Sequence, residues 1–263
     1  MPQTLVAWAA GRQPGRRVDN RAGDRPPSRG AAGAATLGVL DGGEKLMAAS
    51  GMALLFDLDG TLTDSRPGIL ASMRYALAAL GLTPPPDEAL SQFIGPPTQD
   101  AFRDLLGPSQ IALQADAIRL YRERFTAEGM FDNSVYPGIR EGLATLRVAG
   151  VRLWVATSKP RVYAERIIDH FGLGDFFVRV YGSELSGEFG NKGDLIAHLL
   201  KTENLASRDA WMIGDRMHDI VGAHRNEVRA AGVLWGYGSR EELTHAGAET
   251  LFSSMQELVA CFA

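Results

Sequence analysis

The stretch Met52–Ser65, MALLFDLDGTLTDS, limits the possible folds more than any other part of the chain. Ala53-Leu54-Leu55-Phe56 is a short unbroken apolar run, and it ends abruptly in Asp57-Leu58-Asp59-Gly60-Thr61. A run of this length, closed by a glycine turn, predicts a strand buried on both faces, as in a parallel sheet covered by helices. Open α/β sheets bind their ligands at the carboxyl ends of such strands, which is where Asp57 and Asp59 fall. An Asp-x-Asp pair alone is weak, since ~0.7 would arise by chance in a chain of this size at average composition. Gly-Thr directly after the pair and an apolar strand directly before it make chance a poor explanation. The plainer alternative, a strand ending in a solvated acidic turn, loses ground because three later stretches complete the same site.

Such a strand end has definite chemical uses. A carboxylate held beside a metal can attack phosphorus and form an acyl phosphate. A second carboxyl group nearby can protonate the leaving oxygen and later activate water. Gly60 lets the backbone turn so that N–H groups, its own and that of Thr61, approach phosphate oxygens.

The 263 residues suffice for a full core and one or two domains, and 45% hydrophobic with 22% charged residues is ordinary for a soluble protein. A net charge of −4 argues against general nucleic-acid binding. Cys261 is the single cysteine, so no intrachain disulfide can form and a reducing cytoplasm is the expected setting. No apolar run approaches the ~18 residues of a membrane span.

Residues 1–51 differ from the rest. They are rich in Gly, Ala, Pro and Arg (GRQPGRR, GDRPPSRGAAGAA), and seven Lys and Arg against four Asp and Glu make them +3, leaving −7 for the remainder. This composition predicts disorder. Thr4–Ala10 makes a poor secretory signal, being short with no basic residue before it, and Asp19, Asp24, Asp41 and Glu44 weaken a transit-peptide reading. A different reading starts translation at Met47 or Met52, where globular sequence begins, with residues 1–51 a non-native extension.

After the first strand, Asp64-Ser65 can cap a helix with Pro67 in its first turn. Ile69, Leu70, Met73, Leu77 and Leu80 follow at helical spacing, and Gly81 ends the run. Further helices are expected over 87–93, 98–106 and 109–128, with Ile94-Gly95-Pro96-Pro97 as a breaking turn or a loop that reaches substrate. Residues 67–135 therefore predict a small all-helical domain, inserted between hinges at Thr61–Ser65 and Tyr136-Pro137-Gly138. From Ile139 onward strands (151–156, 177–181, 210–213, 231–235) alternate with helices (139–149, 161–171, 192–201, 219–226, 254–261). The expected fold is α/β, a doubly wound parallel sheet formed by 52–66 and 136–263.

Three later stretches end at the same sheet edge. Val155-Ala156-Thr157-Ser158-Lys159-Pro160 puts two hydroxyls at a strand terminus, where Thr157 can donate to a phosphate oxygen and Ser158 can bind substrate or cap the next helix. Lys192 opens a helix, where its charge opposes the macrodipole; a phosphoryl group beside it would give that charge a purpose. Trp211–Gly214 runs into Asp215, with Asp219 four residues on. Asp57, Asp59 and Asp215 would repel one another unless a cation held them, and all-oxygen ligands favour Mg²⁺. His218 is one residue off this acidic pair and is read as surface or helix-start structure.

FDLDGTLTDS, VATSKP, Lys192 and GDRMHD, in this order, resemble the motifs of the haloacid dehalogenase-like phosphohydrolase superfamily, and the helical segment resembles its type 1 cap. The resemblance spans Met52 to Ala263. FIGPP, YRERF, FDNSVYPGI, GSELSG and GVLWGYGS are similar to the phosphoglycolate phosphatase-like branch, and within it to a bacterial 5′-nucleotidase-like group. Gly193-Asp194 after Lys192 depart from the Pro-containing turn of many phosphoglycolate phosphatases. The resemblance implies Asp57 as nucleophile and metal ligand, and Asp59 as general acid/base with its carbonyl on the metal. Thr157 and Lys192 would hold the phosphoryl group, and Asp215 and Asp219 would bind Mg²⁺.

A carbon–halogen hydrolase fits less well because Asp59 is present. A phosphosugar mutase and a phosphotyrosine phosphatase share the motifs and stay open. A non-catalytic module would be expected to have lost one of the four key residues, and no G-x-G-x-x-G follows the first strand to suggest a dinucleotide enzyme. The expected partner is a small phosphomonoester, with no nucleic acid and no membrane, and the protein a monomer or homodimer. The helical segment would choose the leaving group. It offers Phe93, Phe102, Tyr121, Phe125 and Phe131 for stacking and Arg103, Arg122 and Arg124 as cations, Arg103 being the candidate for a substrate carboxylate. Nucleoside 5′-monophosphates are the preferred expectation, phosphoglycolate the alternative.

Overall fold

The structure, a computed structural model, describes residues 51–263. The expectations for residues 1–50 lie outside the described residues.

The strand β1 (Ala53–Phe56) forms where the apolar run predicts it and is wholly buried. Leu54 and Phe56 pack into one apolar cluster while Ala53 and Leu55 pack into another on the opposite face. Alternate side chains of one strand thus feed two layers of helix, as a doubly wound sheet requires. The other sheet strands are β4 (Arg152–Pro160), β5 (Arg179–Ser183), β6 (Ala210–Gly214), β7 (Arg229–Val233) and β8 (Thr250–Phe252). A short ribbon, β2 (Thr63–Asp64) and β3 (Ser134–Val135), pairs antiparallel. The main sheet has the order β5-β4-β1-β6-β7-β8, and all its ladders are parallel.

This order decides where the site lies. β1 sits between β4 and β6, with Phe56 opposite Val155 on one side and Ile213 on the other. From β4 the chain winds one way to β5, then crosses to β6 and winds the other way. The residues just past these registers, Asp57, Thr157 and Asp215, therefore arrive together at the switch point, where the crevice opens.

The helices are α1 (Arg66–Ala79), α2 (Asp87–Ser91), α3 (Thr98–Gln110), α4 (Gln114–Arg124), α5 (Ile139–Val148), α6 (Arg161–His170), α7 (Lys192–Glu203), α8 (Met217–His224), α9 (Arg240–His245) and α10 (Met255–Phe262). The first four stand between the two ribbon strands. The hinges expected at Thr61–Ser65 and Tyr136–Gly138 include or adjoin this ribbon, and Tyr136 N–H also donates to Leu62 O at 3.1 Å.

Several boundaries differ from expectation. The break expected between the helices over 98–106 and 109–128 falls at Gly107, with a positive φ of 63°, and Pro108, but the helix over 109–128 is not one α-helix, since a 3₁₀ turn over Ile111–Leu113 precedes α4. A π-helical turn over Phe125–Gly129 extends α4. Ser65 makes no side-chain cap on α1, whereas Asp64 Oδ1 accepts from the Arg66 N–H at 3.2 Å. The last strands shift as well, because the glycines of Leu234–Gly238 form a loop rather than continuing β7, and β8 and α9 complete the sheet edge. The helical segment shares one apolar cluster with the sheet, Phe102 and Leu106 belonging with Leu54 and Phe56. Among the described residues no helix is long and apolar enough to cross a membrane.

Candidate active site

Asp57 follows β1 directly, and its N–H extends the ladder to Ile213 O at 2.9 Å. The strand thereby fixes the direction of the carboxylate, which lies buried at the sheet edge. Its Oδ1 accepts from Lys192 Nζ at 2.9 Å. The same ammonium donates to Ala156 O at 2.8 Å and pairs with Asp219 Oδ1 at 2.7 Å. Lys192 can sit buried at the start of α7 because Asn191, not the lysine, caps the helix, accepting from the Gly193 N–H at 2.9 Å. Burial opposes its charge, but Asp219 and Asp57 outweigh that and hold the lysine pKa above its ordinary value.

Asp215 follows β6 and is fully buried. Its Oδ2 accepts from the Tyr237 backbone N–H at 2.7 Å and its Oδ1 from the Thr61 hydroxyl at 3.3 Å. Burial pushes its pKa well above the carboxylate range, and the charges of Asp219 and Asp57 push it further. Asp219 is raised too, chiefly by burial, although Lys192 pulls against the shift. One carboxylate oxygen from each of Asp57, Asp215 and Asp219 can be chosen so that all lie within 4.8 Å of one another. Of these three buried acids, Asp57 and Asp219 share the Lys192 ammonium, and Asp215 has no cationic partner among the described residues. Such a cluster is stable as anions only with more positive charge, and an all-oxygen donor set fits a hard divalent cation.

Gly60 permits the crowding. Its φ is +87°, and a Cβ there would stand 2.3 Å from Asp215 Oδ2. No other residue type could make this turn against Asp215.

Asp59 faces elsewhere. Its Oδ2 pairs with Lys159 Nζ at 2.8 Å, and its buried Oδ1 has no hydrogen-bond partner. Lys159 reaches it because β4 is irregular between Thr157 and Pro160, which re-aims the side chains there. The Lys159 ammonium also lies 4.7 Å from the centre of the Phe125 ring, a cation–π contact from the helical segment. Thr157 Oγ1 accepts from the Lys159 N–H at 3.2 Å, which leaves its own proton available to donate.

Residues 54–233 match the haloacid dehalogenase-like hydrolase family. The chain belongs to this family. A Pseudomonas aeruginosa protein named 5′-nucleotidase is 48% identical over 190 residues, 72% of this chain and 86% of that protein. The Mycobacterium tuberculosis tyrosine-protein kinase PtkA is 41% identical over 186 residues, 70% of this chain but 62% of the kinase. A crystal structure described as a predicted phosphatase from Clostridium acetobutylicum superposes with a TM-score of 0.77 at 41% identity, covering 80% of this chain and 97% of that one. As a member of this hydrolase family the chain is an enzyme of the phosphoric monoester hydrolase class.

Beside these family motifs the structure gathers Asp57, Asp59, Thr157, Ser158, Lys192, Asp215 and Asp219 at one sheet edge, although only Asp57, Asp215 and Asp219 form the acidic cluster. Other expected residues are placed differently. The Gly60 N–H donates to Thr63 O and the Thr61 N–H to Leu58 O, so the turn itself uses both donors expected for phosphate. The Thr61 hydroxyl serves Asp215. Arg103 is exposed, paired with Asp100 and Asp104, and lines an outer groove rather than the cleft over Asp57. Arg122 of α4 is the guanidinium that lines the cleft; its Nε is buried without a partner. Phe93, Tyr121 and Phe125 line the cleft too, whereas Phe102 is buried in the apolar cluster and Phe131 stacks on His170 outside. His218 is exposed in the first turn of α8.

Lys159 and Tyr237 escape sequence reasoning. Lys159 stands within VATSKP, and two hydroxyls before it draw attention first. Tyr237 acts through a backbone N–H, which no side-chain pattern reveals.

Proposed function

We propose that this enzyme is a Mg²⁺-dependent phosphomonoesterase that works through an aspartyl phosphate on Asp57, with nucleoside 5′-monophosphates as its substrates. One observation carries the reading: the Asp57 carboxylate is buried at a strand end, 2.9 Å from Lys192 and grouped with Asp215 and Asp219. An anion so placed can attack phosphorus in line. The Asp57 oxygen bonds to phosphorus as the bond to the leaving oxygen breaks. Asp59, whose Oδ1 is unpartnered, gives a proton to that leaving oxygen. It then takes a proton from water, whose oxygen attacks the phosphorus and frees the Asp57 carboxylate. Thr157 and Lys192 hold the phosphoryl oxygens throughout. Asp57, Asp215 and Asp219, with the Asp59 carbonyl, would hold Mg²⁺, which when bound supplies positive charge against the acids and the phosphoryl group. Helices α1–α4 act as a cap domain over 67–135.

The nucleotidase relative at 48% identity supports nucleotides, as do Phe93, Tyr121 and Phe125 around the cleft. A specific observation favours the smaller substrate, phosphoglycolate. In this conformation the centre of a water molecule can occupy only about 40 Å³ of the cleft. That is space for a phosphoryl group and little beyond it, since one water needs roughly 10–15 Å³ by this measure. A nucleoside would need the helices to move apart.

A panel of phosphomonoesters, scored by released phosphate with Mg²⁺ and with EDTA, tests the reading. Turnover should vanish in EDTA, and a nucleoside 5′-monophosphate should show the highest kcat/KM. A phosphoglycolate value more than about tenfold above every nucleotide reverses the substrate choice, and Mg²⁺-independent turnover removes the mechanism.

A further inference from the structure

Asp215 has a neighbour on each side that turns away from the site and grips the helical segment. The first is Tyr237. Its backbone N–H donates to the Asp215 carboxylate, while its phenol sits at the start of α1. There the phenol oxygen accepts from the Ser65 N–H at 2.9 Å and the Arg66 N–H at 3.1 Å, and its proton goes to Asp64 Oδ1 at 3.0 Å. The Arg66 guanidinium lies 4.7 Å from the centre of the ring. The second neighbour is Arg216, next in the chain. Its guanidinium donates to the Ile94 carbonyl in the loop before α3 and, through Nε, to Glu242 at 2.9 Å. Glu242 also accepts from the Met217 N–H at 2.9 Å, which fixes the arginine from behind.

The loop bearing Tyr237 has no slack against Asp215. A Cβ on Gly238 would lie 1.9 Å from the Asp215 carbonyl oxygen. Contacts this close pass a displacement on rather than absorb it.

We propose that Arg216 and Tyr237 are positioning residues that tie the seating of the helical segment over the cleft to the setting of the Asp215 carboxylate. The proposal rests on the reading that Asp215 holds a divalent cation. A cation there fixes the carboxylate against the repulsion of Asp57 and Asp219. That fixes the Tyr237 N–H and the Arg216 backbone, and through them two separate attachments, the start of α1 and the loop at Ile94. By linkage, seating the helices strengthens cation binding in return.

Hydrogen exchange of the full chain in MgCl₂ and in EDTA, with calorimetric titration of Mg²⁺, tests this. Mg²⁺ should slow exchange in residues 64–69 and in residues 93–97 by at least about fivefold. Tyr237→Phe keeps the ring and the backbone N–H, so it should lose the slowing at 64–69 and keep it at 93–97. Arg216→Met should do the reverse. A merely structural loss would loosen both segments together, so a parallel loss in either variant overturns the proposal. Slowing that persists in both variants overturns it too, as does wild-type protein that binds Mg²⁺ with no change in exchange. If calorimetry detects no Mg²⁺ binding, the cation reading itself fails and takes the proposal with it.

Discussion

The cluster around Asp57 sets charge against burial, and Lys192 decides the balance. With one ammonium shared between Asp57 and Asp219, Asp215 is left with only neutral donors, the Tyr237 N–H and the Thr61 hydroxyl. Removing a charge from this group should therefore cost activity without costing the fold. Asp57→Asn keeps the side-chain volume and an oxygen for Lys192 but removes the attacking anion. Turnover should fall by at least about a thousandfold, while the melting temperature in EDTA stays at or above the wild-type value because one source of repulsion is gone. Phosphate release and thermal unfolding measured on the same preparation check this; near-normal turnover would exclude Asp57 as the nucleophile. At this scale the sequence is legible wherever a residue type is costly to bury. Asp57, Asp59, Lys192, Asp215 and Asp219 announce themselves at strand ends and a helix start. Lys159 looks like an ordinary helix-flanking lysine, because nothing local indicates that an irregular strand turns it toward Asp59.

Among the elements, the turn after β1 is the tightest constraint. It must reverse within Asp57–Thr63, carry two acids and leave room for Asp215, and Gly60 solves the last problem by having no side chain. Gly60→Ala should lower stability by about 2 kcal/mol or more, since it combines a positive φ with a clash against a buried carboxylate. Denaturant unfolding measures the loss, and Mg²⁺ titration should show weakened binding because Asp215 must move; a variant equal to wild type in both would mean the turn is slack. Strands are more legible in this sequence than helices. The runs 53–56 and 210–213 are apolar throughout and bounded by polar turns, so their place in the sheet follows directly. The helix expected over 109–128 departs from a single α-helix at Ile111–Leu113 and Phe125–Gly129, because apolar spacing does not distinguish 3₁₀ and π turns from α-helix. The start of the Leu234–Gly238 loop looks like strand because it continues an apolar run into Trp, which favours strands, whereas the approach of Gly236 and Gly238 to Asp215 depends on tertiary contact.

At the scale of the whole molecule, a site proposed to recognise only phosphate and metal needs another surface to select the leaving group. On the proposed reading the selecting surface is the side of α1–α4 that faces the sheet, and among the cations of these helices Arg122 is the one lining the cleft. Its terminal nitrogen donates to Leu185 O on the sheet side at 2.9 Å, so the guanidinium is held across the gap, while its buried Nε lacks an acceptor. An acceptor on the substrate would fill that position, and a carboxylate would do so best. Arg122→Met keeps most of the stem and removes the charge. If phosphoglycolate is the substrate, its kcat/KM should drop by roughly 10- to 100-fold, the value of a lost hydrogen bond to a charged group, with nucleoside 5′-monophosphates changed by less than about threefold. If nucleotides are the substrate, their base and ribose would be held by the aromatic side chains that line the cleft rather than by the Arg122 charge. The same variant should then alter nucleotide turnover only through the lost tie to Leu185, a rise in KM with kcat nearly unchanged. Steady-state kinetics of both substrate classes on one variant therefore separates the two readings by which parameter moves, and a variant with unaltered kinetics on both would remove Arg122 from selection altogether.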